Sequence, residues 1–517
     1  MFRPTGRSVK FTVLAVVLCG ISALAATGLA FMLRPSPPAP TSEPATPAGL
    51  FRGWPKPDLA LVLSGEQHGY LLPCGCSRPQ FGGLERRYNL MALLRQRGWP
   101  VAAVDVGDVP QSEGPRKMPN IQGLIKYRYA MESMDRMGYL AVGLGKYEAE
   151  LSLFKVLAEY ALNNQSPRVL AANLKDRDTD FPDQVLATHV TKVEGSPLKV
   201  GIGAVIGPSA QATIKDPKVK FEDNRLVIPR LTNDLRQADL RVLLYQGSLK
   251  EAKDLAADRK DFHIILCLSP ADEPAFDPTW SGNTLIAAVG HKGRYVGVVG
   301  VYRTGKADRP FELRYQLVTL GEAFLTPEGQ EKDHPILAKM EQYTRELKAQ
   351  NYLGKYGQSK HPNQVAVPGV VPTYVGTDKC KKCHGPAYEV WETSKHSHAY
   401  ATLVKATKPS LRQYDAECIV CHTVGFAYES GFKNERDTPH LKNVGCESCH
   451  GPASEHVKHP KDAQWHRILN PWKGKENETK EQKAQRQLRI NDLCVQCHDV
   501  DNDVKFKLEL RWPDVAH

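Results

Sequence analysis

Cys380-Lys381-Lys382-Cys383-His384 opens a pattern that returns three times in the last quarter of the chain. The repeats are Cys418-Ile419-Val420-Cys421-His422, Cys446-Glu447-Ser448-Cys449-His450 and Cys494-Val495-Gln496-Cys497-His498. Two thiols three positions apart reach the two vinyl groups of one porphyrin and form thioethers. The adjacent His then donates a nitrogen to iron from below the ring. Covalent attachment lets a short segment hold a cofactor it could not enclose. Zinc ribbons or redox Cys-x-x-Cys sites are the plain alternatives. Ribbons need two Cys pairs per metal and do not require a His directly after each pair. The four motifs use eight of the twelve cysteines and predict four covalently bound haem c groups, with His384, His422, His450 and His498 as proximal ligands.

At 517 residues the chain is too long for one core and suggests two or three domains. It is 41% hydrophobic and 24% charged, with a formal charge of +11. Four haems would add about −8 through their propionates, so the positive balance is no nucleic-acid signal. An arginine-rich arm and interleaved aromatic-basic runs are both missing, and we expect no nucleic-acid partner.

Arg3, Arg7 and Lys10 precede an uncharged run of 23 residues, Phe11 to Leu33. This reads as a signal anchor or a signal peptide over 1–34, followed by a Pro-rich linker over 35–56. Ala23-Leu24-Ala25 is a possible cleavage site, and Leu18-Cys19 is a poor lipoprotein signal. The body is therefore expected outside the cytoplasm, on the periplasmic side of the cytoplasmic membrane, or free in the periplasm if the signal is cleaved. Attachment of c-type haem in bacteria requires that export.

Over 57–321, short apolar runs alternate with helical stretches. Strands are expected at Leu59–Leu63, Val101–Val106, Leu198–Ile206, Leu240–Tyr245, Phe262–Leu268, Thr284–Val289, Tyr295–Tyr302 and Phe311–Val318. Helices are expected at Leu84–Arg97, Ile121–Met137, Glu150–Leu162 and Leu249–Ala256. Alternation of this kind argues for an α/β domain.

Ser64-Gly65-Glu66-Gln67-His68-Gly69-Tyr70-Leu71, Gly82-Gly83-Leu84-x-Arg86-Arg87, Val104-Asp105-Val106-Gly107-Asp108 and Gly143-Leu144-Gly145-Lys146-Tyr147-Glu148 form a spaced series, which Ala171-Ala172-Asn173-Leu174 continues. It resembles the calcineurin-like metallophosphoesterases of the 5′-nucleotidase type. The resemblance implies a four-layer αββα sandwich. It also implies that the two-metal site is degenerate. Glu66 stands in place of an Asp, although His68 and Asp108 are kept. Lys146-Tyr147 replaces Asn-His, Gln246 replaces a His, and Cys267-Leu268-Ser269-Pro270-Ala271 replaces Gly-His-x-His. Two-metal catalysis clamps attacking and leaving oxygens between cations, and an ammonium at Lys146 would repel them. Lys146 is instead expected to neutralise Glu66 and Asp108, and we assign no catalytic residue here. Cys74, Cys76 and Cys267 are left as a disulfide, buried thiols or part of a rebuilt metal site with His68 and Asp108.

Residues 322–373 read as an exposed or docking helix, Pro335 to Leu353, and a Gly/Pro/Gln/Ser linker from Tyr356 to Pro372. Residues 374–517 then carry Tyr374-Val375-Gly376, Trp391-x-x-Ser394-x-His396, Asp415-x-x-Cys418, Val444-Gly445-Cys446 and Ser454-Glu455-His456. This segment resembles the tetrahaem cytochrome c-554 family. The resemblance implies a mostly α, loop-rich tetrahaem domain with closely stacked haems. It makes His396 the distal ligand of the third haem and His456 that of the first. His517 is a candidate for the fourth, and the second haem tends to lack a distal protein ligand. His398, His440, His459 and His466 are the other imidazoles in this stretch.

Bis-His haems have no open position and move electrons. The sequence therefore predicts an exported, membrane-anchored electron carrier that meets redox partner proteins, with a silent phosphoesterase-like domain for docking. The alternatives are an oxidoreductase acting on a small nitrogen or sulfur species at a five-coordinate haem, and an active phosphoesterase with a fused cytochrome.

Overall fold

The computed structural model describes residues 49–73, 76–161 and 166–517. The expected signal segment, most of the Pro-rich linker and Cys74 lie outside them. Among the described residues no helix is long and apolar enough to cross a membrane.

Thirteen strands build two mixed sheets. They are β1 (Leu59–Ser64), β2 (Val101–Asp105), β3 (Tyr139–Gly143), β4 (Arg168–Leu170), β5 (Val185–Leu186), β6 (Thr188–Lys192), β7 (Lys199–Ile206), β8 (Leu240–Gln246), β9 (Ile264–Cys267), β10 (Thr279–Ser281), β11 (Thr284–Ala287), β12 (Tyr295–Arg303) and β13 (Phe311–Thr319). The first sheet runs β13-β12-β1-β2-β3-β4-β5 and the second β10-β11-β9-β8-β7-β6. β1 to β5 are mutually parallel, and β12 and β13 close that sheet antiparallel.

The layering follows from side-chain alternation along each strand. Leu59, Leu61 and Leu63 face the second sheet and meet Val200, Ile202, Val242, Leu244, Ile264 and Leu266. Ala60 and Val62 face the other way, onto Leu84, Leu90, Met131 and Met134 of helices Leu84–Gln96 and Gly123–Met137. On the far side, Leu243 and Ile265 pack on Leu231 and Ala252 of helices Asn224–Asp234 and Leu249–Asp258. Helix, sheet, sheet, helix is a four-layer αββα sandwich of metallophosphoesterase-like fold.

Helix Pro335–Ala349 docks on this body. Its Ile336, Met340, Tyr343 and Leu347 are buried in the core that holds helix Gly123–Met137. The stretch after it is no free linker. Tyr356 packs on Phe426, and the buried Gln364 donates to the carbonyls of Pro372 and Glu429.

From Thr377 onward the described chain has mostly short helices and turns, with one isolated bridge inside it, Thr423 to Lys442, and one from Tyr428 back to Ser359. Its apolar core gathers Tyr374, Tyr400, Leu403, Ile419, Val420, Phe426 and Phe432, and it also takes in Met118 from the loop after β2. At the seam, the buried Gln122 donates to Asp415 Oδ1 at 2.9 Å and accepts from the Ala416 amide at 3.1 Å. The same side chain meets the hydroxyls of Tyr343 and Tyr356. Lys126 pairs with Glu417 at 3.1 Å, and Gln111 donates to the same carboxylate.

Candidate haem site and the Glu66 cleft

Each Cys-x-x-Cys-His motif lies in or beside a short helical turn. Residues three and four apart share a helix face, so both sulfurs and the His point the same way. Helix Ala416–His422 is capped by Asp415, which accepts from the Glu417 amide. Helix Cys446–His450 begins where the Cys446 amide donates to Thr377 Oγ1 at 3.2 Å. The buried Glu447 carboxylate accepts from the amides of Val375, Gly376 and Ala453, fastening the start of the segment to the third motif. The fourth motif follows the long helix Lys480–Cys494. Cys380 lies beside Cys446, and Cys421 beside Cys497, so motifs one and three adjoin, as do motifs two and four.

Three imidazole pairs stand out. The His384 and His456 rings are 5.9 Å apart between centroids, His396 and His498 are 6.0 Å apart, and His450 and His517 are 5.9 Å apart. Two imidazoles on opposite sides of one metal, each bonded at about 2 Å, place their centroids about 6 Å apart. His456 Nδ1 is moreover buried without a hydrogen-bond partner. The residues present fit haem iron with two axial imidazoles at three motifs.

These pairs exchange two expected assignments. His396 meets His498 of the fourth motif, where the sequence resemblance gave it to the third haem. His517 meets His450 of the third, where it was a candidate for the fourth. His396 is held by its segment's contacts with the third motif's approach: the Val444 amide donates to the His396 carbonyl, and Trp391 Nε1 donates to the Val444 carbonyl at 2.8 Å. The chain thus passes the third motif while its side chain reaches the fourth, a placement that linear spacing does not reveal.

His422 has no second imidazole in ring contact among the described residues. His398, His440 and His459 are exposed, and His466 leans on His456 at 5.1 Å. Proximal orientation is supplied from behind the ring. His422 Nδ1 meets the Ala399 carbonyl at 2.7 Å, His450 Nδ1 meets the Leu469 carbonyl at 2.7 Å, and His498 Nδ1 meets the Asp503 carboxylate at 3.0 Å. Such partners fix the tautomer and leave Nε2 for the metal.

The cleft that holds Glu66, His68 and Asp108 lies where β1, β2, β3 and β8 end. Glu66, His68 and Asp108 adopt left-handed backbone angles, with φ of 51°, 49° and 56°. Such conformations cost about 1–3 kcal/mol each outside glycine and persist where the surroundings dictate them. Gly145 is needed beside them, since a Cβ there would lie 2.4 Å from Asp108 Oδ1. The side chains are turned to one another. Glu66 faces His291 Nε2 at 3.1 Å and accepts the Ser269 amide at 2.7 Å. His291 Nδ1 meets Asp272 at 2.7 Å, and the His68 ring packs against Tyr147 and His291. Burial pushes the His68 imidazole down to about 3, and the bond to Glu66 holds His291 up to about 9. Burial also pushes Asp108 and Glu148 above the ordinary carboxylate range.

Sequence reasoning missed His291. It gave the neutralising role to Lys146, which instead lies 3.8 Å from Glu150 and over the Tyr147 ring. The tight turn Gly290-His291-Lys292-Gly293, with φ of 74° at Gly290, was the available signal. Gln246 turns its amide onto the Val106 carbonyl. Cys267 is a buried thiol packed in the outer core with Ile265 and Tyr245, and burial pushes it up to about 12. Cys76 is also a free thiol.

Residues 379–451 match the family described as cytochrome c554 and c-prime. The cytochrome c-554 of Nitrosomonas europaea is 33% identical over 90 residues, which are 15% of this chain and 38% of that protein. This chain thus spans under two fifths of the relative's length. Among solved structures, the 5′-nucleotidase precursor of Thermus thermophilus superposes with a TM-score of 0.47 at 19% identity, covering 56% of this chain and 59% of that one. The Thermus thermophilus sulfate thiohydrolase SoxB gives 0.46 at 14%, covering 57% and 62%. The segment from Lys379 to Gly451, which carries three of the four Cys-x-x-Cys-His motifs, is thus similar to cytochrome c554 and c-prime, and it follows a four-layer αββα sandwich.

Proposed function

We propose that this chain is an exported, membrane-anchored electron-transfer protein with four covalent haem c groups. Its phosphoesterase-like region is catalytically silent and serves to dock and hold the haem segment. Haem bound at the four motifs supplies reversible one-electron chemistry. Cys380, Cys383, Cys418, Cys421, Cys446, Cys449, Cys494 and Cys497 would tether it. His384, His422, His450 and His498 would be the proximal ligands, with His456, His517 and His396 opposite the first, third and fourth.

The observation that carries this reading is the trio of imidazole pairs at 5.9–6.0 Å. Iron saturated by two imidazoles has no position for a substrate, so those sites pass electrons only. The anchor rests on the basic, apolar start of the chain and places the body in the periplasm, within reach of redox partner proteins. The silent cleft is supported by the engagement of Glu66 with His291, and of Asp108 Oδ1 with the Tyr147 amide at 2.8 Å. Intact mass of protein matured in a cytochrome c-producing host should show four haem additions, and fewer would overturn the count. Assay with 5′-nucleotides and manganese, zinc or calcium should give no turnover. Robust chelator-sensitive hydrolysis would overturn the silent cleft in favour of an active phosphoesterase.

A second reading has its own observation. Among the described residues His422 has no second imidazole in ring contact, which favours one five-coordinate haem able to admit a small nitrogen or sulfur species. EPR of the oxidised protein would then show one high-spin signal that shifts with cyanide or nitric oxide. Four low-spin signals would leave pure electron transfer.

A further inference from the structure

Three proximal imidazoles have a described partner behind the ring, and one of those partners differs in kind. His422 and His450 give Nδ1 to main-chain carbonyls, of Ala399 and Leu469. His498 gives its Nδ1 to a carboxylate, Asp503 Oδ2, at 3.0 Å. Asp503 is the fifth residue after the motif's His, within the turn that ends the motif. A neutral carbonyl accepts a hydrogen bond from imidazole. A carboxylate accepts a charge-assisted one and draws the proton further off the ring. The imidazole then becomes a more electron-rich donor at Nε2 and favours the higher oxidation state of the metal it binds.

Asp503 is not left to find this position alone. Its other oxygen, Oδ1, accepts from Ser77 Oγ at 2.9 Å. The Cys76 amide donates to the Asn502 carbonyl at 2.9 Å. Asp501 lies against Lys292 Nζ at 2.9 Å, accepts from Tyr70 at 3.0 Å and pairs with Arg294. Inside the turn, Asp499 Oδ1 accepts from the amides of Asp501 and Asn502. Tyr70, Cys76, Ser77, Lys292 and Arg294 all belong to the phosphoesterase-like region, and Lys292 also pairs with Asp272, the partner of His291. The 499–503 turn is therefore fastened to the rim of the Glu66 cleft.

We propose that Asp503 is a positioning residue that lowers the reduction potential of the fourth haem through His498, and that the phosphoesterase-like region holds it in place for that task. The inference rests on the reading of Cys494-Cys497-His498 as a haem motif. Its scope is the chain's own hydrogen bond, and the two ideas fail separately in the test.

The test is a spectroelectrochemical titration of the full, haem-loaded chain and its Asp503→Asn variant. The amide keeps the shape and offers His498 a neutral carbonyl like those behind His422 and His450. At fixed potential, the reduced-to-oxidised ratio of one haem should rise about tenfold, a positive shift of about 59 mV for a one-electron couple. The remaining haems should keep their midpoints. Asp501→Asn is the comparison, because it removes the same charge and one fastening from the same turn while leaving the Asp503–His498 bond in place. It should move that midpoint by less than half as much. Equal shifts from both variants would reduce the effect to the general field and overturn the proposal. Unchanged midpoints in Asp503→Asn with full haem mass would also overturn it while leaving the haem reading intact. Absence of haem on a Cys494/Cys497 peptide of the unmodified chain would instead overturn the reading beneath it.

Discussion

Strand β1 alone buries Leu59, Ala60, Leu61, Val62 and Leu63, whereas everything from Asn443 to His517 buries five apolar side chains among the described residues, Pro452, Ala453, Trp465, Leu469 and Ile490. Two haem motifs hang on that second stretch. The sandwich makes its core from its own side chains, and the haem segment leaves the core to its cofactor. A chain with so little apolar burial cannot offset the entropy of ordering its loops. On the proposed function, covalent porphyrins would supply the missing apolar face. The two regions thus reach comparable order by different routes, and the difference can be tested.

The largest effect should come from removing the tethers. Cys446→Ser with Cys449→Ser deletes one thioether pair from the region poorest in side-chain core. Limited proteolysis should then cut within 443–517 while leaving 57–321 intact. Resistance equal to that of the unmodified chain would show that side chains suffice there. A cavity in the sandwich comes next. Leu244→Ala, between the sheets, should cost about 2–5 kcal/mol in denaturant unfolding with the haem spectrum unaltered before the transition. A cost below about 1 kcal/mol would mean that the inter-sheet layer is looser than its burial indicates.

Axial substitutions are more local. His396→Met and His456→Met should each alter the low-spin EPR signal of one haem and leave the rest. His396→Met should perturb the haem on Cys494 and Cys497, whereas the sequence resemblance pointed to the haem on Cys446 and Cys449. An unchanged spectrum would remove that His from the ligand set.

The smallest effect concerns the cleft. Burial pushes the Glu66 carboxyl up while the His291 cation pulls it down, and the 3.1 Å geometry indicates a charged pair. His291 is raised to about 9 from an ordinary 6.5, so its contribution is complete below about pH 6.5 and is lost as pH rises through about 9. With partial exposure the pair is worth about 1 kcal/mol. The stability gap between the unmodified chain and His291→Gln should therefore close between pH 6 and pH 10. A gap that persists at pH 10 would show that packing, not charge, holds the turn.

Much of the sandwich was legible because strand periodicity survives where both faces are buried. All eight expected strands form, with ends shifted by one or two residues. The others had weak signals. β3 follows Gly138 at once, whose left-handed φ of 82° ends one element and starts the next without a loop. β4 and β5 are three and two residues long. Helix Asn224–Asp234 was hidden by Pro229 inside it. Haem attachment was legible because its chemistry demands fixed spacing. The pairing of distal imidazoles was not, because His396 and His498 are brought together by tertiary folding that no local period encodes. His291 escaped for a related reason: it reaches Glu66 from a turn more than two hundred residues away.

Gln122 carries a last consequence. One buried amide spans Asp415, Ala416, Tyr343 and Tyr356, so it belongs equally to the sandwich, the docked helix and the second haem motif. The two halves are therefore not interchangeable cassettes. A recombinant that grafts a different segment after residue 373 would leave this amide facing the wrong groups, unless the incoming segment brings an acid and a free amide to the same spot. The joint therefore limits which segments this sandwich can carry after residue 373.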